Sequence, residues 1–280
     1  MLDSLETLER RYLGGIHVHS TYSYDGSLSL AELRHQALQR GLHFLCMTEH
    51  TDQLTEAEVE AFVQECKAHS DEQFVFVPGF EVPYQEAHVL MLGAETFVAQ
   101  TADREKLKQW ATRAELVVLA HPHRNRFLVD DVLASLLDGV EIWNSQYDGK
   151  QAPRIKSWEL LDSLREKRLQ AEPGSAGLLA FGGLDIHRSE HFGGPEIHLS
   201  LSELNTTGIL EALKLGQYTI RRQTKQIEPQ ARVDSLTYRE RALSRVNTQV
   251  MQLAKASTRG LKRLGIRVPK GVRTLIRKYL

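Results

Sequence analysis

The amino-acid sequence predicts an α/β fold, a barrel of about seven βα units, followed by a basic helical extension. Two patterns argue for the barrel. Short apolar runs alternate with helical patterns roughly 10–15 residues long, the signature of βαβ units and a parallel sheet. Chemically active residues close many of these runs, and a barrel gathers its site from many strand ends where an open sheet uses one switch point. Charge then divides the chain. Residues 221–280 carry 16 Lys+Arg against 3 Asp+Glu, while residues 1–220 carry 19 against 33. We therefore expect a barrel over residues 1–222 and an extension over 223–280.

The elements follow in order. Gly15 to His19 reads as a first strand. Ser29 to Arg40 reads as a helix with apolar or Ala positions at 30, 31, 33, 37 and 38, and Gly41 as its stop. His43 to Thr48 is a strand and Thr55 to Ser70 a helix. Phe74 to Val77 and His88 to Leu92 are strands joined by a short Pro-containing connection. Arg104 to Ala114 is helical, Leu116 to Ala120 a buried strand, Val129 to Leu137 a helix and Val140 to Trp143 a strand. Ile155 to Arg168 is helical, Leu178 to Phe181 and Glu196 to Leu201 are strands, and Gly208 to Leu215 is the last helix.

Some classes are set aside by composition. No stretch approaches the roughly 20 apolar residues of a membrane span. Residues 1–15 lack the apolar core of a secretion signal. Cys46 and Cys66 make neither a disulfide framework nor a zinc-binding pair, so a cytoplasmic protein with reduced thiols is expected.

Nine residues have metal-ligand chemistry at strand ends or in the loops beside them: His17, His19, Asp25, His50, Glu81, His88, His121, Asp185 and His187. His17 and His19 are two apart, which on a regular strand points both imidazoles to one face. Asp185-Ile186-His187 repeats that spacing with one oxygen and one nitrogen donor, a set suited to Zn, Mn or Fe. Glu81 follows the apolar run from Phe74 to Phe80, where a carboxylate is costly to bury unless paired or metal-bound. It can also bridge two cations.

The string His17-Val18-His19-Ser20-Thr21-Tyr22-Ser23-Tyr24-Asp25-Gly26, followed by Thr48-Glu49-His50-Thr51-Asp52, resembles the PHP (polymerase and histidinol phosphatase) superfamily. Gly79-x-Glu81, His88 to Gly93, Ala120-His121-Pro122 and Asp185-x-His187 continue the match in order, over residues 15 to about 220. The resemblance implies a distorted (β/α)₇ barrel of the PHP type with up to three divalent ions (Mn²⁺, Fe²⁺ or Zn²⁺) at its strand ends. By the same resemblance His17, His19, Glu81 and Asp185 would hold one ion. Glu81 would bridge to a second, with His88 and His121, and Asp25, His50 and His187 would hold a third. Asp25 stands where some members have histidine.

Clustered divalent ions generate a hydroxide nucleophile near neutral pH and neutralise charge on a phosphoryl group, so the implied reaction is phosphoester hydrolysis. A small phosphorylated substrate or nucleotide is expected, with an exonuclease or a non-catalytic metal-binding module as alternatives. Arg124, then Arg126 and Arg188, are candidate phosphate ligands because guanidinium binds two oxygens at once. His123 and His191 are candidate general acids, and similar proteins have an asparagine lining the pocket where Asn144 stands. Gly182-Gly183 is expected to bring backbone close to the metals or to turn tightly. In residues 236–280, Val246, Val250, Leu253, Leu261 and Leu264 recur at helical spacing among Arg and Lys, and Val272, Leu275, Ile276 and Tyr279 form a second stripe. Such a segment suits packing on the acidic body, or contact with nucleic acid or a membrane surface. Truncation after residue 235 is expected to spare turnover of a small substrate.

Overall fold

A computed structural model describes residues 9–96, 103–148, 152–238, 240–242 and 244–246. Among them the order is β1 (Arg10–Val18), α1 (Leu30–Leu38), β2 (Phe44–Met47), β3 (Glu49–His50), α2 (Glu56–Ala68), β4 (Val75–Val77), β5 (Gly79–Tyr84), β6 (Ala87–Leu92), α3 (Arg104–Ala111), β7 (Leu116–Ala120), α4 (Asp131–Leu136) and β8 (Gly139–Asn144). Then come α5 (Ile155–Ala171), β9 (Leu179–Ile186), β10 (Glu196–Leu201), α6 (Thr206–Lys214), β11 (Tyr218–Arg222) and β12 (Lys225–Ile227).

The helices start where their caps dictate. Ser29 and Glu32 exchange side-chain and backbone hydrogen bonds at the start of α1, and Thr55 and Glu58 do the same for α2. Asp103, Asp130 and Asn205 cap α3, α4 and α6. The strands β2, β4 and β7 are buried along their whole length, which explains why they read as continuous apolar runs.

The sheet is not the wholly parallel one expected from the alternation of strands and helices. All twelve strands belong to one mixed sheet. β1 pairs in parallel with β2 on one side and β9 on the other, and its first half pairs antiparallel with β10. β2 pairs β4 and β3 pairs β5 in parallel; the chain interrupts the ladder at Thr48 and at Pro78, which has no N–H to donate. β5, β6 and β7 run antiparallel to one another, since β5 and β6 form a hairpin through Gln85 with no helix between. β7, β8 and β9 are parallel again. β10, β11 and β12 form an antiparallel meander, so the sheet continues past the boundary expected at residue 222.

The segment after β12 is fastened to the body. Arg165 on α5 donates to the carbonyls of Leu178, Pro229 and Ala231, Leu236 is buried, and the Ser244 hydroxyl accepts from the Ile155 N–H. Val246 is exposed. The remaining apolar positions expected for the basic extension lie outside the described residues. Among the described residues no helix is long and apolar enough to cross a membrane.

Candidate metal centre

Three of the nine expected ligands sit on left-handed backbone. His17 has φ 66°, Asp185 φ 50° and His121 φ 25°. Such a conformation costs a non-glycine residue of order 1–3 kcal/mol and persists only where its surroundings enforce it. At His17 the register of β1 shifts against both β2 and β9 between Ile16 and Val18. His17 is therefore a bulge residue, and strand alternation is not what sets it beside His19. The outcome expected from the spacing holds for a different reason: the Nε2 atoms of both imidazoles lie 3.2 Å from Glu81 Oε2.

Glu81, on β5, is the hub. Its Oε1 lies 2.5 Å from His88 Nδ1 and 3.0 Å from His121 Nε2, while Oε2 faces His17, His19 and, at 3.6 Å, His50 Nδ1. Asp185 Oδ1 approaches His17 Nε2 at 3.6 Å, His19 Nε2 at 3.9 Å and His187 Nδ1 at 3.3 Å. Asp25 completes the outer side, 3.6 Å from His50 Nε2 and 3.1 Å from His187 Nε2. The structure thus brings all nine together. Donor atoms within 4.8 Å of one another form four overlapping triads: His17–His19–Glu81, Glu81–His88–His121, His17–His121–Asp185 and His19–His50–His187. The last differs from the expected Asp25–His50–His187 set in drawing His19 in, its ring stacked on those of His50 and His187 at 4.4 and 4.2 Å.

Two carboxylates behind the cluster escaped sequence analysis. Glu141, in the middle of β8 and fully buried, lies 2.9 Å from His17 Nδ1 and accepts from the His121 N–H and the Asn144 amide. Glu49, equally buried, accepts from the Ser20 N–H and the Ser23 hydroxyl. Gly183 makes room for the first of these: a Cβ there would fall 1.5 Å from Glu141 Oε1. That glycine serves a carboxylate behind the ligands, not a close approach of backbone to metal. Gly182 packs against Pro195 and Ile220.

Electrostatics favour a cation at the hub. Burial disfavours the His17 cation, yet Asp185, Glu141 and Glu81 together outweigh it and raise the imidazole well above its usual range. Burial opposes ionisation of Glu81 too, but His17, His121 and His19 hold it well below the usual carboxylate range. His19 behaves differently: burial, with His50 and His187 nearby, pushes it down to about 3, against an upward pull from Glu81. Its Nε2 is buried without a hydrogen-bond partner, although Glu81 Oε2 stands 3.2 Å away. With the His19 proton on Nδ1, Nε2 and the Glu81 oxygen oppose two lone pairs across that gap, a contact that a cation between them would relieve. The donor set of imidazoles and carboxylates fits Zn, Mn or Fe.

With this geometry in place, comparison with known proteins is informative. The model of the PHP domain family matches residues 15–184. The chain belongs to this family. The match ends just before Asp185, whose place in the centre comes from the structure. Among solved structures, a two-domain protein from Bacteroides vulgatus, described as containing a predicted PHP-like metal-dependent phosphoesterase, superposes with a TM-score of 0.58 at 14% identity, over 76% of this chain. The present chain spans only 65% of that protein. A putative metal-dependent phosphoesterase from Bifidobacterium adolescentis is matched at TM-score 0.40 and 18% identity, over 63% of this chain and 88% of that one. Histidinol phosphate phosphatase from Lactococcus lactis, solved with zinc, L-histidinol and phosphate, is matched at TM-score 0.35 and 17% identity, over 63% and 86%. No curated protein matches the chain.

Around this PHP centre the other expected residues scatter. Arg124 is exposed; burial raises the pKa of both Tyr24, stacked on His50 at 5.0 Å, and Tyr147, beside His121 and His123, and the nearby charge of Arg124 opposes both shifts. His123 is half-buried, its ring 4.6 Å from that of Tyr147. Arg126 and Arg188 are exposed. His191 braces His187, its Nδ1 accepting from the His187 N–H at 3.2 Å, while burial lowers its pKa. Asn144 does not line the pocket: it is fully buried, its amide donating to Glu141 and its oxygen accepting from the Gln146 N–H.

Proposed function

We propose that this PHP protein is a metal-dependent phosphomonoesterase acting on a nucleotide or a small phosphorylated metabolite. The observation that carries the reading is the hub: one ionised, buried carboxylate, Glu81, shared between two pairs of imidazole donors, His17 with His19 and His88 with His121. In this reading His17, His19, Glu81 and Asp185 hold one divalent ion. Glu81, His88 and His121 hold a second, and Asp25, His50 and His187 a third. Bound ions would supply the nucleophile and screen charge on the phosphoryl oxygens.

The chain's own residues do the rest. Glu81 and Asp185 fix the ligand frame from two strands. Arg124 binds phosphate oxygens at the rim, and His123, half-buried beside Tyr147, is the better-placed candidate to protonate the leaving oxygen, because the Nδ1 of His191 is already engaged with His187. The same reading takes the sheet as a distorted seven-stranded barrel. β1 meets both β2 and β9, β2 meets β4, and pairings run from β5 through β6, β7 and β8 to β9, while β4 and β5 are joined by the chain at Pro78 and not by a pairing.

Phosphate release from nucleoside monophosphates, nucleoside bisphosphates, sugar phosphates and histidinol phosphate, with and without Mn²⁺, tests this. Metal-dependent release from one of them is expected. Silence across the panel from protein shown to bind metal would overturn the phosphomonoesterase reading and favour an oligonucleotide end as substrate.

A further inference from the structure

We infer that Glu141 and Glu49 are positioning residues that set the ring tautomers of His17 and His19, presenting Nε2 of each to the centre. The inference rests on the metal-binding reading above and adds two residues to it.

For His17 the bond is direct. Glu141 Oε1 lies 2.9 Å from His17 Nδ1, and Oε2 accepts from the His121 N–H at 2.6 Å and from Asn144 Nδ2 at 2.9 Å. A carboxylate only accepts, so His17 Nδ1 carries its proton and Nε2 faces Glu81 and Asp185. The backbone donor of His121 comes from another strand end. One carboxylate thus ties together β1, the end of β7 and β8.

For His19 the bond is relayed. The Ser23 hydroxyl donates its only proton to Glu49 Oε2 at 2.5 Å, while Ser23 Oγ accepts from the His50 N–H at 2.9 Å. Glu49 Oε1 accepts from the Ser20 N–H at 2.9 Å. Ser23 Oγ lies 3.2 Å from His19 Nδ1 and has no second proton to give, so the Nδ1–H of His19 must donate to it. Nε2 is then bare, which agrees with its being buried without a hydrogen-bond partner.

The relay makes a prediction that a purely structural role does not. In Glu49→Gln the amide oxygen still accepts from the Ser20 N–H, but the amide nitrogen now donates to Ser23 Oγ. Ser23 must turn its proton toward His19 Nδ1, which places the imidazole proton on Nε2, the atom that faces the centre. Ser23→Ala deletes the relay without reversing it, so His19 keeps access to the binding tautomer. Glu49→Gln should therefore weaken binding more than the cruder Ser23→Ala. Glu141→Gln offers one oxygen to donors that now share two, and should also weaken binding.

The experiment titrates metal-stripped full-length protein with Mn²⁺ alone and assigns the ring-nitrogen resonances of His19. Wild type should bind Mn²⁺ and show His19 protonated at Nδ1. Glu49→Gln and Glu141→Gln should each lose about 10–100-fold in affinity, and Ser23→Ala distinctly less than Glu49→Gln. In Glu49→Gln the ring proton of His19 should move to Nε2. If Ser23→Ala loses as much as Glu49→Gln, or wild-type His19 is protonated at Nε2, the inference fails; the second result stands even if a variant does not fold. Wild-type protein that binds no Mn²⁺, Zn²⁺ or Fe²⁺ would instead refute the metal-binding reading itself.

Discussion

The wall of the centre and its rim are built on different terms. On the wall His17, His19, Glu81 and Asp185 are buried, three strands contribute, and partners behind them hold each imidazole. On the rim Arg124, Arg126 and Arg188 are exposed on loops, and Tyr24, 58% exposed, rests one face on His50. The wall spends backbone strain at His17, His121 and Asp185 to bring donors together before any ligand arrives. The rim leaves its groups exposed to solvent. On the reading proposed above, metal binding would reside in the core of this fold and substrate choice in its loops.

Changes in the wall should have the largest effects. Glu81→Ala removes the carboxylate shared by His17, His19, His88 and His121, so metal retention, read by elemental analysis, and turnover should both fall to background. Asp185→Ala and His19→Ala should abolish turnover by the same route, and full activity in either would remove that residue from the ligand set.

The next test is pH. His17, His50 and His187 have raised values, burial being outweighed by neighbouring carboxylates. In metal-free protein the folded state holds these protons more tightly than the unfolded chain. The stabilisation is therefore full below about pH 6.5 and is lost as pH rises through the folded values. The melting temperature of stripped protein should fall above pH 6.5. Metal binding must expel the protons on the ligating nitrogens, so Mn²⁺ affinity should climb over the same range. Stripped protein whose melting temperature rises there would break the argument.

Rim changes should be smaller and should spare metal content. Arg124→Ala should lower kcat/KM roughly 10–100-fold, the range of a lost charge-assisted hydrogen bond. Arg126→Ala and Arg188→Ala should change it by less than about twofold, as exposed charges do. Equal losses for all three would erase the distinction drawn within the rim.

The smallest effect concerns the C-terminal extension. Truncation after residue 235 removes Leu236, Glu240 (paired with Lys225) and Ser244, all engaged with the body, and should lower the melting temperature. Turnover of a small substrate should survive that cut at temperatures below the lowered melting point.

Sequence patterning carried most of the wall and little of the rim. The helices were legible from apolar spacing and the Gly41 stop, and the reciprocal pairs Ser29 with Glu32 and Thr55 with Glu58, three residues apart, are a further signal of where α1 and α2 open. The ligands were legible because charged and imidazole groups interrupt otherwise apolar runs. The hairpin from β5 to β6 was partly hidden, since Pro83 and Glu86 look like loop residues and the run from Phe74 to Phe80 conceals the break at Pro78. β11 and β12 were missed because Arg221, Arg222 and Lys225 made that stretch resemble the start of the basic tail. Glu141 was read as part of an apolar strand, and only its position opposite His17, fixed by pairing 124 residues apart, reveals its role. A signal did exist: a lone acid within Val140-Glu141-Ile142-Trp143 must find a donor when buried, as Glu81 does. Asn144 misled for the complementary reason, because its place at a strand end fits a pocket lining as well as it fits a strut.

The most direct test compares three samples of full-length protein against the substrate panel: stripped, Mn²⁺-restored, and Glu81→Ala with Mn²⁺ added. The account predicts phosphate release only from the restored wild type, with bound metal found in that sample and absent from the variant. Turnover that survives stripping, or that persists in Glu81→Ala, would contradict it.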